Sequence, residues 1–71
     1  MKIRLRIKEA LAEKGMSQSK LSQKAEVSLN TIQDLTHDPY RDIKLSTLVK
    51  IADALGVEIT NLYAREKDLP E

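Results

Sequence analysis

Residues Met16 to Leu35 read MSQSKLSQKAEVSLNTIQDL, and two serines in this stretch, Ser17 and Ser28, decide how the chain folds. A serine followed by helix formers is a good N-cap, because its side-chain oxygen accepts from a backbone N–H of the first turn. Ser17 therefore predicts a short helix to about Lys24 that turns Leu21, Ser22 and Ala25 inward. After Ala25-Glu26-Val27, Ser28 predicts a second start, and the helix it opens buries Ile32 and Leu35. Only about three residues separate the two, which suits helices crossing steeply about a tight turn rather than an antiparallel hairpin.

Outward from this pair, Ile3, Ile7, Ala10 and Leu11 fall on one helical face that ends at Gly15, which predicts a first helix over about 4 to 14. A competing period is present there, because Ile3, Leu5 and Ile7 alternate with Lys2, Arg4, Arg6 and Lys8 as in a half-buried strand. The helix is the reading preferred here. Downstream, residues 36 to 45 lack a sustained period and contain Asp38-Pro39, a helix stop. Ser46 is the expected cap of a fourth helix carrying Leu48, Val49, Ile51, Ala52 and Leu55 and ending at Gly56. A last short helix over about 59 to 64 returns Leu62 and Tyr63 to the core, and 65 to 71 is read as a charged tail. The expected fold is all-α, a compact five-helix domain over residues 1 to 64.

Composition narrows the function. A chain of 71 residues hides only about 60% of the surface its unfolded form exposes, so one modest core has to suffice. The sequence has no cysteine and a single histidine, His37, so neither a disulfide nor a metal cage is expected. No apolar run approaches the roughly 18 residues of a membrane span, and no signal peptide is visible, so a cytoplasmic protein is expected. His37, Asp38 and Asp42 have no nucleophile placed beside them. No enzyme activity, cofactor or small-molecule ligand is expected on that basis.

The order of these pieces resembles the helix-turn-helix of the lambda-repressor and Cro type, the XRE-like family. Met16 to Leu35 carries the likeness, with Arg6-Ile7-Lys8 and Lys14-Gly15-Met16-Ser17-Gln18 before it. Leu45-Ser-Thr-Leu-Val-Lys-Ile-Ala-Asp-Ala-Leu-Gly-Val57 follows it, and coverage runs from about 6 to 63. The resemblance implies a lambda-repressor-like DNA-binding domain with the helix-turn-helix at helices two and three. It further implies that Ser28, Leu29, Asn30 and Asp34 face DNA bases, and that Gln18 and Thr31 meet phosphate. Three departures stand out: Glu26 replaces the usual turn glycine, Ser22 replaces the usual alanine, and Leu11 and Thr36 replace a pair that often forms a buried salt bridge.

The chemistry of the third helix fits that role. A major groove about 12 Å wide admits one helix, whose side chains then read base edges. Asn30 can pair two-pronged with adenine, Gln33 can do likewise, Asp34 can accept from a cytosine amino group, and Leu29 can meet a thymine methyl. Helix N-termini at Ser17 and Ser28 aim backbone amides at phosphate oxygens, with help from Lys20 or Lys24, and His37 lies within reach of a phosphate in sequence terms.

The expected partner is double-stranded DNA, bound by a homodimer on two half-sites about one helical turn apart, as for a sequence-specific regulator, a repressor. A net charge of only +1, together with Asp34, keeps a second reading open: a protein-interaction module or antitoxin-like partner that retains the fold.

Overall fold

The computed structural model describes residues 2 to 66. Its order is β1 (Lys2–Leu5), α1 (Ile7–Lys14), α2 (Gln18–Ala25), α3 (Leu29–His37), α4 (Leu45–Leu55), a 3₁₀ turn (Ile59–Leu62) and β2 (Tyr63–Glu66). The architecture is mostly helical, with four α-helices and a two-stranded antiparallel sheet in place of five helices.

Both ends correct the sequence reading. The alternation of residues 2 to 5 is a strand after all: Lys2 faces Glu66, Ile3 faces Arg65, Arg4 faces Ala64 and Leu5 faces Tyr63. A strand satisfies its backbone only with a partner, and that partner lies at the far end of the chain. Helix α1 consequently begins at Ile7 rather than at residue 4, after Arg6 donates its N–H to the Leu62 carbonyl at 2.7 Å. Ile3, expected on the buried face of helix one, is 50% exposed, while Leu5 on the same side of the strand is buried. The expected fifth helix shrinks to one 3₁₀ turn, because Ile59, Thr60 and Asn61 are poor helix formers and the chain is extended again by Tyr63. Of the expected tail, Arg65 and Glu66 belong to β2, and 67 to 71 lie outside the described residues.

Helix ends otherwise follow local chemistry. Gly15 and Gly56 adopt left-handed conformations at φ 61° and 70° and close α1 and α4. Met16 and Val57, the next residues, donate back to the Leu11 and Ala52 carbonyls. Helix α3 runs to His37, and Asp38, restricted by the proline after it, leaves the helical region. Ser46 does not cap α4. The Leu48 N–H already reaches the Lys44 carbonyl at 3.0 Å, so the helix starts at Leu45 and Ser46 sits inside its first turn.

The core is wholly aliphatic. Ile7, Leu21, Ile32, Ile51 and Leu62 are its largest fully buried side chains, one from each helical element. Each contributes about 1.5–3 kcal/mol of burial. Among the described residues no polar or charged side chain is buried, so the core makes no polar demands of its own. The Arg4 guanidinium pairs with Glu9 at 2.9 Å and links β1 to the first turn of α1.

Candidate nucleic-acid interface

The two serine caps form as the sequence requires. Ser17 Oγ accepts the Lys20 N–H at 3.1 Å, and Ser28 Oγ accepts the Thr31 N–H at 3.2 Å while lying 2.8 Å from the Thr31 hydroxyl. Between them the chain turns at Glu26, the residue expected to stand where a glycine is usual. Its φ is 56°, and it is the single non-glycine residue with positive φ among those described. The turn is locked by Ser22, whose hydroxyl donates to the Val27 carbonyl at 2.6 Å. An alanine there could not make this bond, so the Ser22 departure and the Glu26 departure act on the same turn.

Helix α3 has two unlike faces. Ile32 and Leu35 are buried beneath it, and Ser28, Leu29, Asn30, Gln33 and Asp34 are exposed above. Thr31 is half-buried, its hydroxyl engaged with the cap. At the other end of the helix, Gln18, Gln33, Asp34 and His37 line one open cleft together with Lys8 and Thr36. Gln18 spans that cleft: its Nε2 donates to the Thr36 hydroxyl at 3.2 Å, and that hydroxyl donates to the Gln33 carbonyl at 3.0 Å. The start of α2 is thereby tied to the last turns of α3. Leu11, the other half of the replaced salt bridge, is packed in the core. An apolar residue and a hydroxyl bridge thus occupy the positions where a buried ion pair is usual. Ser17 and Lys20 are exposed on the first turn of α2.

The Cro/C1-type HTH DNA-binding domain family matches residues 6–68, nearly the whole chain. The chain belongs to the Cro/C1-type helix-turn-helix family. An immunity repressor protein of Bacillus phage phi105 is 32% identical over 71 residues, covering all of this chain and 49% of the phage protein. The chain therefore spans about half the length of that curated relative. Among the described residues no helix is long and apolar enough to cross a membrane.

This Cro/C1-type domain also holds contacts around α3 that the motif does not announce. Asp34 pairs with Arg41 of the following loop, Nη1 to Oδ2 at 3.6 Å. Lys8 shares the Gln18 cleft. Its place on helix one was legible, but its position in the first turn of α1 and the side of that helix that faces α3 follow only from the structure. Tyr40 donates its hydroxyl to Glu66 at 2.7 Å, a contact between residues 26 apart in sequence that no local pattern signals.

Proposed function

We propose that this chain binds a specific stretch of double-stranded DNA and acts as a transcriptional repressor in the cytoplasm. Helix α3 enters the major groove and α2 lies across the phosphate backbone. The observation that carries the reading is the two-sided α3: a polar face of Ser28, Asn30, Gln33 and Asp34, with Leu29, stands open to solvent over the Ile32 and Leu35 anchors. Membership of the Cro/C1-type family and the likeness to a phage immunity repressor support the same reading.

In this proposal Ser28, Leu29, Asn30, Gln33 and Asp34 read bases, and Ser17, Gln18, Lys20, Thr31 and His37 meet phosphate. One short helix contacts few base pairs, so the proposal includes a homodimer on two half-sites. Selection of bound sequences from a random duplex pool tests it. A repeated, two-fold related sequence is expected, and Asn30→Ala should abolish the preference. A preference left intact by Asn30→Ala would remove the base-reading assignment.

The low net charge of +1 favours a second reading, a protein-interaction module with weak DNA binding. Salt separates the two. Binding to random duplex falls steeply with salt for a DNA binder, with a slope of about −0.9 per neutralised phosphate, and is flat or absent for the alternative.

A further inference from the structure

Helix α3 carries one carboxylate, Asp34, on the face proposed to meet DNA. Uncompensated, it would be repelled by the phosphates lining the groove. Its neighbour is Arg41, with Nη1 3.6 Å from Oδ2 and both side chains 55% exposed. An exposed pair of this kind adds little to fold stability, so stability alone gives little reason for it. The loop that supplies the arginine is tightly held. The Arg41 N–H donates to the Asp38 carbonyl at 3.2 Å, and the Tyr40 N–H donates to Asp38 Oδ1 at 3.1 Å. The Pro39 carbonyl accepts from Leu5 of β1 at 2.6 Å. Tyr40 donates to Glu66 of β2, and its ring lies 5.5 Å from the Lys2 ammonium. The sheet thus fixes the point from which the guanidinium reaches α3.

We propose that Arg41 is a positioning residue for DNA binding that acts through Asp34. Its guanidinium neutralises the carboxylate so that α3 can enter the groove, and the Tyr40–Glu66 clamp holds it there. Arg41 faces Oδ2, so Oδ1 still offers lone pairs to a base amino group. This rests on the DNA-binding reading above.

A double-mutant cycle on the full chain tests it, reading affinity for a random-sequence duplex at fixed low salt, with circular dichroism to confirm that each variant is folded. The factor by which Asp34→Asn changes affinity should be at least about threefold more favourable in an Arg41→Ala background than in the wild type, a coupling of ordinary size for contacting residues. Arg41→Lys should restore the wild-type response, and Tyr40→Phe should reduce the coupling. Were Arg41 a direct phosphate contact instead, Arg41→Ala would lower affinity by itself and leave the Asp34→Asn effect equal in both backgrounds. That additive result, or a failure of lysine to restore the response, overturns the proposal while leaving DNA binding in place. A wild-type chain that binds no duplex at any salt removes the proposed function, and this inference with it.

Discussion

The Ser22 hydroxyl bonds the Val27 carbonyl at 2.6 Å across the turn on which Glu26 holds a left-handed backbone. The turn between α2 and α3 thus carries one side-chain bond and one strained residue, and the two have opposite effects on stability. Ser22→Ala removes the bond and leaves the carbonyl part-buried. A loss of about 1 kcal/mol is expected, read as a fall of about 4–8 °C in thermal midpoint. An unchanged midpoint would show that the bond does not hold the turn.

Glu26→Gly should act the other way. A side chain at φ 56° is strained by about 1–2 kcal/mol, and the added freedom of glycine in the unfolded chain offsets roughly half of that. A midpoint raised by a few degrees is expected in calorimetry. A lowered one would mean that the glutamate makes a compensating contact at the turn.

Gln18 and Lys8 line the same cleft but should fail differently. Gln18→Ala breaks the link to Thr36 and should weaken binding to every duplex alike by about tenfold, the weight of one well-placed polar contact, without altering the salt slope. Lys8→Gln should make the slope shallower by about one, since one fewer counterion is released. Titration of a random duplex at several salt concentrations separates the two. Equal slopes for the wild type and Lys8→Gln would place the lysine off the phosphate path.

Tyr40 gives the fold a dependence on alkaline pH. Donation to Glu66, a little burial and the Glu66 charge together push its hydroxyl above the ordinary tyrosine value, against the opposing Arg4 charge. Because the folded value is raised, the protonated form contributes stability that is fully present below the ordinary value, about 10, and is lost as pH rises through the folded value. Ultraviolet titration should show Tyr40 ionising late, and Glu66→Ala should bring it back to the ordinary value. A Tyr40 that titrates normally in the wild type would refute the clamp.

The centre of the molecule was legible because its signals are local. Ser17, Ser28, Gly15 and Gly56 each act within a turn of their own position, and Ile32 and Leu35 mark the buried side of α3 by spacing alone. The left-handed backbone at Glu26 was anticipated only through the family resemblance, which puts a glycine at that turn. The ends were not legible in this way. Residues 2 to 7 satisfy a helical and a strand period at once, and what decides between them is a partner, Tyr63–Glu66, whose own sequence shows no strand alternation. Ser46 looked like a cap because serine usually is one, yet the Leu48 N–H bonds the Lys44 carbonyl and the helix starts at Leu45. The exposure of Asn30, Gln33 and Asp34 could be read from periodicity. The pairing of Asp34 with Arg41 could not, since it depends on a loop whose course is dictated by the sheet.

Pairing Lys2 with Glu66 closes the described chain into a ring of more than sixty residues. Closure entropy grows only logarithmically with ring size, whereas contacts between residues so distant in sequence are slow to form. The turn between α2 and α3 forms from neighbours along the chain, whereas the strand amides of Arg4 and Ala64 report on the whole circuit. Severing either strand would release its opposite number and, through Tyr40, loosen the grip on the loop beside α3.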